Sequence, residues 1–297
     1  MLHQTSLNLL KHSFGTKKKD GESCEDETQQ KNLASTINPL LLYQLVDSCV
    51  PSGGFAHSNT LEAAHQLHLL NPQKSSWTAS LIVHCWDVVL QTFSSVVPFV
   101  ISSCKLFRCH YAASHSVDRN ALLSKPSSEI IEAWESIDFN LDVTTTSHVA
   151  NRASVSQGSG MLRAFGAAFP NIAPVTKVIK RKVLKDTSKC SGHSASCFGA
   201  ACGLLGIDEE TCVSMFLYTT ARDMVNAAVR MNLVGPLEGG RITNELCMGI
   251  DALIKKEVGV LVELGHEEII HETHVIAPLI EILSNAHDRL YTRLFNS

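Results

Sequence analysis

From Pro39 onward the chain carries the apolar spacing of amphipathic α-helices. Between Asp208 and Val234, apolar side chains recur at steps of three, four and seven, which aligns them along one helix face. Asp208 is placed to cap the N-terminus of this helix, and Gly235-Pro236 is expected to end it. Strand signals, meaning period-two runs of β-branched and aromatic residues between tight turns, are scarce. The pattern therefore predicts an all-α fold.

Further segments with the same spacing are separated by turn residues. They cover residues 39–50, 59–70, 76–106, 143–166, 237–258 and 278–294. Asn59 followed by Glu62 predicts a capping box at the start of the second segment. Residues 111–130 and 180–193 are polar enough to be loops or loosely ordered helix. Long helices joined by short loops predict a single helical-bundle domain of about eight to ten helices.

The first 37 residues differ in character from the rest. They are polar and charged, so a disordered tail is predicted at 1–37, ahead of an all-helical domain at 38–297. The net charge is −4 with the charges mostly interspersed, which gives no sign of a nucleic-acid partner. No apolar run approaches the roughly 18 uninterrupted residues of a membrane span, and none near the N-terminus suits a signal peptide. A cytoplasmic location is the default expectation.

Cysteine usage and two short motifs exclude several kinds of site. The ten cysteines lie scattered, without a Cys-x-x-Cys pair. Free buried thiols are predicted, in apolar helical windows at Cys85, Cys104, Cys202, Cys212 and Cys247. The pair Gly158 and Gly160 lies in a helical window and indicates close helix packing, not nucleotide binding. The run Gly192-His193-Ser194-Ala195-Ser196 lacks the last glycine of a nucleophile elbow, so Ser194 or Ser196 is predicted to cap a helix.

Histidine pairs keep a metal-binding alternative open. His266, His271 and His274 resemble a zinc-protease helix, but the first two are five residues apart instead of four. That slip turns the second imidazole by about 100° on a helix. His271 with His274, or His65 with His68, still has the spacing of a chelating pair. Solvated surface histidines are the competing interpretation, and a helical metal-binding protein or metallohydrolase is the alternative function.

The most unusual segment follows the first predicted helix. It contains Asp47-Ser48, then Pro51-Ser-Gly53-Gly54-Phe55-Ala-His57-Ser58, and then Leu61-Glu62. The two glycines allow a positive φ angle or a close approach by another chain. From the residues alone, the segment is either a tight interhelical turn with Phe55 in the core or a recognition loop.

This segment resembles the signature of the UreF family of urease accessory proteins. Three further stretches resemble that family in the same order, at residues 153–158, 217–238 and 290–297, so the resemblance covers roughly residues 38–297. One departure stands at residues 192–199. There the family usually has Ala-Pro after Gly-His, and this chain has Ser194-Ala195-Ser196 instead. Loss of the proline is expected to relax the start of the following helix.

The resemblance implies a non-catalytic, dimeric scaffold. Such a chain would bind the accessory protein UreD, also called UreH, recruit the GTPase UreG and act on the urease apoprotein. UreG would bind GTP and carry the nickel, and this chain would couple the GTP state to nickel insertion without a stably bound cofactor. By resemblance, partner binding falls on residues of the loop, a late helix and the tail: Asp47, Ser48, Gly53, Gly54, Phe55, His57, Ser58, Glu62, Arg222, Arg230, Arg289, Tyr291, Arg293, Leu294 and Phe295.

The C-terminal residues suggest how docking would work. If residues 289–295 are helical, Leu290 lies next to Leu294 and Tyr291 next to Phe295. Such a terminal segment is expected to order only in a partner's groove, so its deletion would leave the domain folded but abolish UreD binding. The alternative is a C-terminal helix packed on its own domain.

Two arginines of the late helix are candidates for a dimer interface. Arg222 and Arg230 are eight residues apart, about two helical turns, and so lie near one face. They are expected to donate ion pairs across a dimer; solvated surface residues are the alternative.

Overall fold

The structure is a computed structural model that describes residues 39–70, 77–112, 123–185 and 189–297. Within these residues the chain forms twelve α-helices, two 3₁₀ turns and no strand, which confirms the all-α class. The helix number exceeds the expected eight to ten because one predicted segment is two helices, and because further helices lie largely outside the predicted segments, at Ser128–Thr144, Ala173–Lys185, Ser194–Leu204 and Glu268–His271. The predicted disordered tail at 1–37 lies outside the described residues and stays a prediction.

The helices are α1 (Pro39–Val46), α2 (Leu61–Gln66), α3 (Trp77–Ser95), α4 (Val97–Ala112), α5 (Ser128–Thr144), α6 (His148–Ala168), α7 (Ala173–Lys185), α8 (Ser194–Leu204), α9 (Glu209–Arg230), α10 (Pro236–Glu263), α11 (Glu268–His271) and α12 (Pro278–Ala286). The 3₁₀ turns are Gly54–Ala56 and His287–Arg289.

A bend separates α3 from α4 within the segment predicted as one helix. The two helices meet at 47° around Val96, and Pro98 lies in the first turn of α4. Proline lacks the N–H that a continuous helix would need there, so the chain starts a new helix instead. No single described helix is long and apolar enough to span a membrane; only α3 and α4 taken together reach that length and composition.

The centre of the bundle is α8, in which every residue is buried. Glycines let its backbone touch α4: a Cβ on Gly199 would lie 2.3 Å from the Val100 carbonyl oxygen, and one on Gly203 the same distance from that of Cys104. The aromatic ring of Phe198 fills the other side, 5.6 Å from the ring of Phe216. Because backbone meets backbone, this core fixes α4 and α8 with little freedom.

Gly158 and Gly160 pack closely, as predicted, although they contact loops and not a second helix. A Cβ on Gly158 would lie 2.0 Å from the carbonyl oxygen of Gly192, and one on Gly160 would lie 3.0 Å from that of Pro51. Helix α6 thus receives two non-helical segments on its glycine positions. These are the two segments from which the polar clusters described below are built.

The limits of α9 confirm one cap and correct the other. Asp208 caps the start, because its carboxylate accepts the Thr211 N–H at 2.8 Å. The helix ends at Arg230, well before Gly235. Asn232 takes the left-handed conformation with φ of 56°, whereas Gly235 has φ of −76° and precedes α10. The prediction that Gly235-Pro236 ends α9 was therefore wrong: this pair starts the next helix, with Pro236 in its first turn.

The described cysteines carry no disulfide. Among them, Cys85, Cys104, Cys202 and Cys212 are buried as predicted. Cys247 is only partly buried. Burial without a compensating charge raises the pKa of the Cys85 thiol to about 12, so this thiol stays protonated and unreactive.

Candidate functional site

The loop that carries the unusual motif contains three residues with positive φ angles. Gly53 has φ of 84°, and Asn59 and Thr60 have φ of 48° and 74°. A Cβ on Gly54 would lie 2.2 Å from an Asp223 carboxylate oxygen, so α9 approaches this loop closely. The predicted capping box at Asn59 was wrong, because α2 starts after Thr60 and Glu62 binds elsewhere.

The Glu62 side chain holds the C-terminal tail. Its carboxylate is 3% exposed and accepts the main-chain N–H groups of Leu294 at 2.6 Å and Phe295 at 3.1 Å. His287 donates to the same carboxylate from Nε2 at 3.1 Å, and Gln66 donates to the Thr292 carbonyl at 2.9 Å. Glu62 therefore satisfies groups of the tail that would otherwise be buried without partners.

The next residues of the tail pair with the motif loop. Asn296 N–H donates to the Ala56 carbonyl at 2.8 Å, and Ser58 N–H donates to the Ser297 carbonyl at 2.7 Å. The His57 Nδ1 atom lies 2.7 Å from Ser297 Oγ. Burial, and then the nearby His287 and Arg152, lower the pKa of His57, so its imidazole is neutral near pH 7. We call this cluster, made of His57, Ser58, Glu62, Gln66, His287 and residues 292–297, the tail anchor.

The expectation about the tail was wrong in two respects. Residues 290–297 contain no helix, and Phe295 is 4% exposed against the chain's own domain. The reason is that Glu62 takes the N–H groups of residues 294 and 295, which an α-helix would need for itself. Deleting residues 291–297 would thus uncover Glu62 and the site of Phe295, so a fully stable remainder is not expected.

Both arginines of α9 bind main-chain carbonyls of their own chain, one at the end of α1 and one in the motif loop. Arg230 donates to the Phe55 carbonyl, and its guanidinium lies 4.5 Å from the centre of the Phe295 ring. Arg222 donates to the Val46 carbonyl and pairs with Asp223 at 2.8 Å. They share one helix face, as predicted. Their role across a dimer stays a prediction, while within the chain they join α9 to the loop and the tail.

Several of the expected partner-binding side chains point into solvent. Phe55 is 66% exposed, Tyr291 101% and Leu294 55%. The alternative that Phe55 lies in the core is therefore wrong. Asp47, Ser48, Arg289 and Arg293 are also exposed, and Asp47 accepts the Cys49 N–H in a local turn. The buried members of the predicted set are Gly54, His57, Ser58, Glu62 and Phe295, and these hold the exposed members in place.

An ion-pair network lies beside the tail anchor. Asp288 receives Arg152 through two hydrogen bonds of 2.9 and 3.1 Å, Arg293 at 2.9 Å and His148 at 3.2 Å. The Arg152 hydrogen bonds lower the pKa of Asp288 to about 2, with contributions from His148 and Arg293. These contacts tie the start of α6 to the tail.

A second polar cluster, which the sequence did not reveal, surrounds Asp138 on α5. Its carboxylate is fully buried and accepts the N–H groups of Ser191 and Gly192 at 2.7 Å each and of His193 at 2.8 Å. Ser196 donates its hydroxyl to the same carboxylate. Asp138 therefore caps the start of α8, and the prediction that Ser194 or Ser196 supplies the cap was wrong. We call Asp138, Asp142, Ser154 and residues 191–196 the Asp138 cluster.

Within that cluster, three side chains line up like a hydrolase triad. Ser154 Oγ lies 3.1 Å from His193 Nδ1, and His193 Nε2 lies 3.0 Å from Asp142. However, Ser154 Oγ also accepts the Ser194 N–H at 3.2 Å and lies in the middle of α6, and His193 is fully buried. A nucleophile needs a free approach and an exposed turn. The arrangement fits the support of the α8 N-terminus better than catalysis.

A cavity of about 480 Å³ runs from the motif loop toward the Asp138 cluster. Its wall includes Gly54 and Asp223 at one end and Ser154 and Ser194 at the other, with Gln157 between. The lining mixes hydroxyl, amide and apolar groups. Its lining therefore includes residues of both polar clusters, Ser297 of the tail anchor and Ser154 and Ser194 of the Asp138 cluster.

The histidine pairs that left the metal-binding alternative open include two residues with other contacts, His65 and His274. Among the described residues, no three His, Cys, Asp or Glu side chains come together in a way that would hold a metal ion. His65 packs against the Trp77 ring at 5.7 Å, and His274 Nδ1 lies 2.7 Å from the Glu272 carbonyl oxygen. The described structure thus gives the metallohydrolase alternative no set of ligands.

The fold and the two clusters define the class of protein. It is an all-helical protein in which buried polar groups hold the motif loop and the C-terminal tail in place, while aromatic side chains of these segments stay exposed to solvent. The family model described as UreF matches residues 103–247. A urease accessory protein F from Arabidopsis thaliana is 33% identical over 92% of this chain and 99% of its own length. One from Oryza sativa subsp. indica is 30% identical over 92% and 91%, and a UreF from Bacillus sp. is 26% identical over 88% and 100%. The chain belongs to the UreF family of urease accessory proteins.

Proposed function

We propose that this chain is a non-catalytic, cytoplasmic adaptor in urease maturation. As a dimer, it binds UreD, recruits the GTPase UreG to the urease apoprotein and couples the GTP state to nickel insertion. It holds no cofactor stably; nickel passes through the assembled complex, and GTP is bound by UreG. Membership in the family supports the role in urease maturation.

The observation that carries the proposal is the pairing of a rigid support with exposed aromatic side chains. Phe55 and Tyr291 lie on two segments that hydrogen bond to each other through Asn296 and Ala56. An exposed aromatic side chain on a preorganised backbone loses little conformational entropy when a partner covers it. Such residues are typical anchors of protein interfaces. The buried Glu62 carboxylate and the His57 imidazole nearby already have partners within the chain, so the loop and tail are more suited to contact than to chemistry.

The experiment is complementation in cells that lack this chain. We expect urease activity to be absent, restored by the wild-type chain and restored poorly by Phe55→Ala combined with Tyr291→Ala. The thermal stability of the double variant should be unchanged, because both side chains are solvent-exposed. Normal urease activity in the cells without the chain would contradict the proposal. So would tight stoichiometric nickel binding by the isolated protein in equilibrium dialysis.

A further inference from the structure

A groove beside the tail anchor is lined by two arginines and by no acidic residue. It measures about 530 Å³ and lies between α6 and the tail; its lining residues are His57, Arg152, Ala153, Ser156, Arg293, Phe295 and Asn296. By contrast, the cavity of about 480 Å³ described above has three carboxylates and one arginine in its wall: Asp47, Asp223, Glu281 and Arg222. The groove therefore differs from the interior cavity in the sign of its charge.

The two arginines of the groove share one partner. Arg152 and Arg293 both pair with the carboxylate of Asp288, so these three side chains together carry one excess positive charge. Arg293 makes one hydrogen bond to Asp288, through Nη1. Since a guanidinium has five N–H donors, most of the donors of Arg293 remain for another acceptor. The hydroxyl of Ser156 and the amide of Asn296 add neutral donors at the walls.

Both guanidinium groups are held in place and can be reached. The side chains of Arg152 and Arg293 are 55% and 46% exposed. Asp288 orients them from behind, and its low pKa keeps it charged throughout the neutral range. A ligand that binds there would not have to order two flexible arginines, which lowers the entropic penalty of binding.

We propose that this groove binds a carboxylate side chain of the protein that docks on the tail. A planar carboxylate matches the forked donors of a guanidinium, so the guanidinium groups of Arg152 and Arg293 would hold it. This proposal rests on the proposed function, because the carboxylate would belong to UreD, the protein that docks on the tail.

Two observations favour a protein carboxylate over a free phosphate or a nucleic acid. The groove is bordered by the tail that exposes Tyr291 and Leu294, and these apolar side chains add contact area only to a protein. Two cations on a chain of net charge −4 are too few for the many phosphate contacts that nucleic-acid binding uses.

The first test measures the affinity of the full chain for its UreD. Arg293→Gln and Arg152→Gln are each expected to weaken binding about tenfold or more, and the double variant further. Arg163→Gln is the matched control, because Arg163 is an exposed arginine of α6, the helix that carries Arg152, and it does not line the groove. Raising the salt from about 50 to about 300 mM should weaken the wild type more than Arg293→Gln. If the wild type binds and the groove variants bind equally well, the carboxylate site is wrong and the adaptor function stands.

The second test needs no partner. The guanidinium Nε–H signals of Arg152 and Arg293 are followed by NMR while glutarate or inorganic phosphate is added to the full chain. Shifts with glutarate that Arg163 does not show support the site, even if UreD fails to bind and the proposed function falls. No shift with glutarate overturns the proposal. A shift with phosphate alone also overturns it, in favour of a free-phosphate site.

Discussion

The tail anchor and the Asp138 cluster use the same physical device for different ends. In each, a buried carboxylate accepts main-chain N–H groups from a segment that is neither helix nor strand. Asp138 is completely enclosed and fixes a turn that leads into the central helix α8. Glu62 fixes a tail in which the side chains of Tyr291 and Leu294 stay in solvent. The first cluster builds the interior, and the second presents a surface.

The largest effect is expected from Asp138→Ala. It leaves three buried N–H groups and one hydroxyl without an acceptor, and hydrogen bonds to a charged group contribute about 1.5–3 kcal/mol each. We expect the free energy of unfolding to fall by about 4 kcal/mol in urea titration, because the losses overlap. Asp142→Ala is the control, with a loss of about 1 kcal/mol, since Asp142 is 37% exposed. Equal losses of unfolding free energy in the two variants would show that Asp138 stabilises the fold no more than Asp142 does.

Next comes a comparison of two glycines, one beside each cluster. Gly158→Ala places a Cβ 2.0 Å from the main-chain oxygen of Gly192, and a backbone atom in a tied turn cannot yield easily. The expected loss is about 3 kcal/mol. Gly54→Ala meets the Asp223 side chain instead, which can rotate away, so about 1 kcal/mol is expected. Thermal unfolding compares the two variants. A larger loss of stability for Gly54→Ala would show that the motif loop, and not the turn at Gly192, is the less tolerant of an added Cβ.

Loosening the tail anchor should affect the tail before it affects the fold. Glu62→Gln keeps the shape of the side chain but loses the charge that accepts from His287, Leu294 and Phe295. We expect a loss of about 2 kcal/mol in unfolding free energy. Amide exchange should rise at residues 294 and 295 and stay slow at residues 192 and 193. Unchanged exchange at residues 294 and 295 would show that Glu62 does not hold the tail.

Acid should weaken the loop through His84, which lies 3.2 Å from the Thr60 hydroxyl. Burial lowers the pKa of His84 to about 4 in the folded state, against 6.5 when unfolded. The unfolded chain therefore binds the proton first, and stability is lost as the pH falls from about 6.5 toward 4. Between pH 7 and 5 this amounts to about 1 to 2 kcal/mol. His84→Gln should flatten this part of the pH profile in urea titrations, and an unaltered profile would exclude His84 as its cause.

Sequence reasoning gave the helical class, the position of α9 and the glycine contacts of α6, because these follow from local spacing. It missed α5 as a whole, although Ile130, Trp134, Ile137 and Leu141 follow a helical period and could have marked it. The resemblance singled out a loop and a tail that hydrogen bond to each other in the structure; their partner-binding role stays a prediction. It did not show which residues face solvent, because Glu62 and residue 294 meet only in the folded chain.

The Asp138 cluster lay outside the reach of the sequence for the same reason. A lone aspartate in a helix gives no local sign that it will accept three N–H groups from a turn more than fifty residues later. The tail was misjudged because an i,i+4 apolar pattern in a short segment does not show whether its N–H groups have a better acceptor elsewhere.

The most direct measurement determines both the stability and the UreD affinity of Phe55→Ala and Tyr291→Ala. These side chains belong to the motif loop and the C-terminal tail and are 66% and 101% exposed. The account predicts unfolding free energies within about 0.5 kcal/mol of the wild type, together with UreD binding weakened by about 2 kcal/mol, or roughly 30-fold. Unweakened UreD binding would contradict the claim that this chain acts through exposed side chains supported by its tail anchor. A loss of stability large enough to explain the weaker binding would contradict it as well.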